Sequence, residues 1–332
     1  MRRAALTLIF VIACKDPPSP APPPPPPAPP QDGVTLVQPG AEPRQALRYR
    51  FAKGSHTAST LVCDVSIKND GQGDPSPALV VELDTVVDDV LADGSAQLRF
   101  TLTRTQLRDA AGGTLPADAQ AEVAALQGVV IIERLAADGK SSGARLAPAA
   151  APVPDQARAQ LDSLLQSLEH VATQLPAEPV GVGAVWEERR TLPPGGITGV
   201  AETVYTVTAV TPGSFAYTSA GKLSGPPQTI QREGMTVEIS NTTGHTEAKG
   251  SIELSRYAID VTTSSVFSST MNAIAPKDMP GSGSSTVEIK MATRMTPSTP
   301  SAGSAAAGDA EPFPAPSSAA PSGSDQGAHN AP

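Results

Sequence analysis

Apolar and polar residues alternate with a period of two through most of residues 31–296, the pattern of half-buried antiparallel strands. Leu47, Tyr49 and Phe51 alternate with Arg48, Arg50 and Ala52, and Leu79, Val81 and Leu83 with Val80, Glu82 and Asp84. After a hairpin signal at Asp93-Gly94, Ala96, Leu98, Phe100 and Leu102 alternate with Gln97, Arg99, Thr101 and Thr103. The pattern returns at Tyr257, Ile259 and Val261 and at Val287, Ile289, Met291 and Met295. Thr-rich runs at Thr203–Thr211 and Val261–Thr270 fit strands as well, with Pro212-Gly213, Gly225-Pro226 and Gly244 as breakers between them. The count predicted is about ten to twelve strands.

Two segments switch to a helical period. Residues 154–175 set Leu161, Leu164, Leu165, Leu168, Val171 and Leu175 on one stripe, with Gln160, Ser163, Gln166 and Glu169 opposite. A shorter candidate, residues 116–126, precedes an apolar strand at 128–135. Strands, then helices, then strands predict an α+β, β-dominated fold: a curled antiparallel sheet or half-open β-barrel with one or two mid-chain helices. The Leu stripe needs an apolar partner, and the concave face of a curled sheet supplies it. If that concavity holds a ligand, its candidate walls are Leu98, Phe100, Ile259 and Val261, with Leu161, Leu164, Leu165 and Leu168 as a lid. The plainer reading of the same residues is a packed core. Trp186, the only tryptophan, opens a strand after a Gly-Val-Gly turn, where its ring can seal the sheet end or stack on a ligand.

The termini change the picture. Arg2 and Arg3 precede an apolar segment, Ala4 to Ala13, far too short to cross a bilayer of about 30 Å. It reads as an export signal removed on maturation. Its end, Val11-Ile12-Ala13-Cys14, resembles the lipobox of bacterial lipoprotein precursors. The resemblance implies that Cys14 carries a diacylglycerol thioether, becomes the mature N-terminus and is N-acylated, a combination that holds a protein at a membrane. Lys15 after the cysteine implies, by the same resemblance, the outer membrane facing the periplasm. Lys15 to Pro30 reads as a polyproline II spacer of roughly 50 Å. Residues 297–332 are almost wholly Ser, Ala, Pro and Gly, which cannot bury a core and predict a disordered tail. The expected organisation is signal 1–13, lipidated linker 14–30, one β-rich domain 31–296 and tail 297–332.

The order of elements, the anchor and the exported address resemble the half-open β-barrels of bacterial lipoprotein and lipid carriers of the LolA, LolB and LppX type. That resemblance implies an apolar ligand or lipid held in the curled sheet beneath the helices. Pro179-Val180-Gly181-Val182-Gly183-Ala184-Val185-Trp186 also resembles a proline, glycine and tryptophan signature of uncharacterised bacterial lipoproteins.

Charge and chemistry narrow the function classes. The formal net charge is -9, and no Lys/Arg run interleaved with aromatics offers a nucleic-acid surface. With Cys14 lipidated, Cys63 has no disulfide partner and reads as a small buried hydrophobe. His56, His170, His245 and His329 show no metal-ligand spacing and read as surface residues. Gly181-Val-Gly183 and Gly281-Ser-Gly283 lack the phosphate-cradling sequences and read as turns, and no nucleophile elbow occurs. Glu82, Asp84, Asp88, Asp89 and Asp93 read as a solvated strand edge. The expectation is a non-enzymatic, lipid-anchored envelope binding protein without cofactor or metal. Its alternative is a structural or assembly lipoprotein engaging envelope protein partners.

Overall fold

The computed structural model describes residues 32–73, 76–109, 113, 115–148, 158, 161, 164–165, 172–192, 198–232, 235–274 and 283–298. The lipobox, the linker and nearly all of the tail lie outside them. Among the described residues thirteen strands form one antiparallel sheet that curls without closing. In chain order they are β1 (Gly33–Gln38), β2 (His56–Asn69), β3 (Ala78–Val90), β4 (Ala96–Arg108), β5 (Val130–Leu135), β6 (Ser141–Leu146), β7 (Val185–Thr191), β8 (Val200–Thr211), β9 (Ser214–Gly225), β10 (Gln228–Arg232), β11 (Met235–Glu253), β12 (Ala258–Ile274) and β13 (Gly283–Ser298).

In space they run β1-β7-β8-β9-β11-β12-β13-β2-β3-β4-β5-β6, with β10 on the early part of β11. The last strand therefore sits between β12 and β2, pairing Met295 with both Val261 and Leu61. That insertion joins the two strand blocks that the helical region separates in sequence. Helix α1 (Ala117–Ala124) is bound to β4: Gln120 bonds both backbone groups of Leu107, and the Thr105 hydroxyl donates to the Val123 carbonyl at 2.6 Å. Of the longer helix expected at 154–175, the described residues Arg158, Leu161, Leu164 and Leu165 are helical, but residues 172–175 are not, so the helix ends short of Leu175; Leu168 lies outside the described set.

Three expectations need correction. Leu47, Tyr49 and Phe51 are buried and Arg50 and Ala52 exposed, yet the segment belongs to no strand. It is an extended strap whose amides go to different partners, Tyr49 N–H to the Ala137 carbonyl at 2.9 Å and Arg50 N–H to the Leu254 carbonyl at 2.8 Å. Extended backbone alternates its side chains whether or not a ladder forms. Gly244, expected as a breaker, lies inside β11, opposite Phe267. The acidic residues sit on β3 and its following turn, and β3 is interior, between β2 and β4. Each meets a base: Asp88 takes Arg99 through three contacts of 3.0–3.1 Å, Asp89 takes Lys53 at 3.2 Å, and Asp84 takes His56.

The signature at 179–186 is a crossing of two segments. Val180 and Gln45 exchange both backbone hydrogen bonds at 2.9 Å, and a Cβ on Gly181 would stand 1.8 Å from the Ala41 carbonyl oxygen. Substituting Gly181→Ala must part these backbones and is expected to cost about 1–3 kcal/mol, read as a lower urea midpoint with an unchanged slope.

Candidate functional site

The concave face carries the core. Leu98 and Phe100 of β4, Trp186 of β7, Ile259 of β12, and helical Leu161 and Leu164 all belong to one buried cluster, with Leu165 and Val261 packed against it. The structure thus brings together every described member of the candidate pocket. Leu98, Phe100 and Trp186 are 0% exposed. Phe100 meets Tyr257 edge-on at 5.4 Å, and Trp186 stacks on Tyr205 at 5.2 Å and 13°. At this end of the sheet the residues fill the concavity themselves.

A polar knot lies within the core. Glu188, on the same face of β7 as Trp186, pairs with Arg190 and accepts a hydrogen bond from the Tyr205 hydroxyl at 3.0 Å. Burial pushes its carboxyl above the usual range, against the pull of Arg190. Burial likewise raises the Tyr49, Tyr205 and Tyr217 phenols, so all three stay protonated. Arg48 donates to the Pro176 and Ala177 carbonyls at 2.6 and 2.9 Å. These contacts tie the strap to the stretch that follows the Leu-stripe helix, and pattern-reading missed them because they link residues more than a hundred positions apart.

The groups weighed for chemistry do not converge. His245 faces Glu247 on the surface at 3.1 Å, and His170 and His329 lie outside the described residues. Among the described residues no three His, Cys, Asp or Glu side chains gather as for a metal ion. Cys63 is half-buried, receives the Thr293 hydroxyl at 3.9 Å, and has its thiol pushed up by burial, which leaves little thiolate for nucleophilic work. Among the described residues no helix is long and apolar enough to cross a membrane.

Open space lies elsewhere on the sheet. β11, β12, β13 and β2 run well past the packed cluster, and two clefts sit along their outer parts. One of about 500 Å³ is lined by Gln228, Glu238, Ser240, Thr270 and Ser284 and one of about 220 Å³ mostly by Asp64, Ser66, Ser264, Val266, Lys290 and Ala292, so by register both lie mainly on the face opposite the core. No member of the candidate pocket lines either. The chain matches no protein-family model and no curated protein.

Proposed function

We propose that this chain is a non-catalytic cell-envelope protein, tethered through an acylated Cys14, that binds an apolar ligand or lipid on the open part of its curled sheet. The observation that carries this reading is the division of one continuous sheet face. Its inner part is filled by Leu98, Phe100 and Trp186, and farther along the same face Ile67 stands 43% exposed with Ile289, Phe267 and Leu223 half-buried. A β-rich domain whose apolar face continues past its packed core suits binding of an apolar ligand.

The filled inner core also favours the second reading, a structural or assembly lipoprotein whose sheet engages envelope protein partners. Native mass spectrometry of the full chain separates the two: a lipid mass that travels with the protein and leaves on denaturation supports the first, and a bare polypeptide supports the second. The tether has its own test. Cys14→Ser is expected to move the protein from the membrane to the soluble envelope fraction and to abolish incorporation of labelled palmitate, and unchanged fractionation overturns it.

A further inference from the structure

Five residues cross the sheet in one row of the core face: Leu61 of β2, Met295 of β13, Val261 of β12, Gly250 of β11 and Tyr217 of β9. Leu61, Met295 and Tyr217 are buried. Six residues along each strand, with no register shift between, the row recurs as Ile67, Ile289, Phe267, Gly244 and Leu223. An even step returns each side chain to the same face, and at about 3.3 Å per residue the second row lies about 20 Å from the first. There it has left the packed core: Ile67 is 43% exposed, and Ile289, Phe267 and Leu223 are half-buried.

Gly244 makes this outer row continuous. A Cβ there would stand 2.5 Å from Phe267 Cδ1 and 2.9 Å from Leu223 Cβ, so the ring and the leucine both lie over bare β11 backbone. The result is an apolar ribbon across five strands, about 19 Å long at the usual strand spacing. Over β12 and β11 it is one residue wide. Hydroxyl pairs border it on both sides, Thr246 with Ser265 and Thr242 with Ser269, each at 3.1 Å. At the β2 and β13 end Val65 and Met291, paired in the next row of the same face, widen it.

That shape selects a ligand. Rows on one face are about 6.7 Å apart, whereas a helix is about 10–12 Å across and would press its apolar stripe onto the hydroxyls. An extended peptide would bring unpaired N–H and C=O groups onto an apolar surface. An alkyl chain brings neither. The chain's own path supplies the second argument. β1 begins at Gly33, opposite Arg189. The registers carry that position through Glu202, Lys222, His245, Val266 and Lys290 to Ser66, the neighbour of Ile67. The segment bearing Cys14 thus joins the domain at the ribbon's end of the sheet, while β13 ends at Ser298 opposite Ala58, at the other end.

We propose that the Ile67–Ile289–Phe267–Leu223 ribbon holds one acyl chain of a membrane phospholipid, laid across the strands on the membrane-proximal end of the sheet. This rests on the reading of the chain as a tethered binder of apolar ligands. The probe is a phosphatidylglycerol with a diazirine near the end of one acyl chain, delivered to the full chain from cyclodextrin so that it reaches the sheet with or without the anchor. After irradiation, adducts are expected on the peptides holding Ile67, Phe267 and Ile289. Ile67→Glu, at the most exposed point, is expected to cut the yield at least fivefold with an unchanged circular dichroism spectrum, and Leu223→Asn to do the same. Thr262→Glu, on the opposite face of β12, leaves the yield unchanged. Adducts confined to peptides of the inner core such as that of Leu98, or yields that neither ribbon variant lowers, overturn the site. Flotation of the acylated protein with vesicles is scored separately: a protein that floats yet takes no label keeps the tether reading and loses the ribbon.

Discussion

Trp186→Ala is expected to destabilise the domain by about 3–5 kcal/mol, a large share of the stability of a typical domain. The indole is 0% exposed, stacks on Tyr205 and lies 6.2 Å from the Phe215 ring, so truncation leaves a cavity bounded by aromatic faces that cannot collapse together. Urea unfolding followed by far-UV circular dichroism measures the effect, since the variant lacks the only tryptophan. Trp186→Phe is expected to cost much less than alanine. Phenylalanine keeps most of the ring contact, and it removes an indole N–H that is buried without a hydrogen-bond partner, an arrangement that itself costs about 1–3 kcal/mol. Equal losses in the two variants would show that ring packing is not what Trp186 supplies.

Arg190→Ala has the second large effect, about 3 kcal/mol at neutral pH. It strips the cation from a carboxylate that is 3% exposed, and breaking a buried pair from one side leaves an uncompensated charge. The pH dependence gives the sign. Burial already holds the Glu188 carboxyl above its ordinary value of 4.5, and Arg190 supplies the largest opposing pull, so the variant raises it further. A carboxyl whose folded value is raised binds protons more tightly in the folded state. The penalty is therefore present above the folded value, fades as pH falls through it and is gone below 4.5, where Glu188 is neutral in both states. Denaturation midpoints of wild type and variant should converge on acidification. Adding Glu188→Gln to Arg190→Ala should recover most of the loss at neutral pH, because an amide keeps an acceptor for the Tyr205 hydroxyl and carries no charge. A pH-independent loss would place the role of Arg190 in its packing and its contact with the Ala172 carbonyl instead.

Period-two alternation located β4, β12 and β13 because each has one wetter and one drier face, whereas interior β3 buries Val81 and Leu83 on one face and Val80 and Asp84 on the other. The same signal overreached at Leu47–Phe51. Burial of alternate residues requires only an extended chain beside a core, and the partners that distinguish strap from strand, Ala137 and Leu254, are remote in sequence. Gly244 was misread for a related reason. Glycine marks a turn when the backbone needs its conformational freedom, but here it makes room for the Phe267 ring, and a one-dimensional pattern holds no trace of a cross-strand neighbour.

The candidate pocket divides in the same way. Leu98, Phe100, Trp186 and Ile259 were legible as inward-facing, and they do share one cluster. Whether that cluster is a wall or a filling depends on how far the sheet curls and on what the Leu161–Leu164 stripe inserts, quantities set by three-dimensional volume. The polar knot of Glu188, Arg190 and Tyr205 gave no sequence signal, since its parts look like ordinary alternating positions of β7 and β8.

By itself the amino-acid sequence determined the class of structure: many antiparallel strands, few helices, one sheet face apolar and one wet. Those properties follow from local hydrophobic periodicity, which acts residue by residue. Only the tertiary structure decided the strand order, with β13 placed between β12 and β2, and hence which apolar rows are packed and which stay open. Register across strands is a property of pairs distant in the chain, so the ribbon from Ile67 to Leu223 exists only once the sheet has formed.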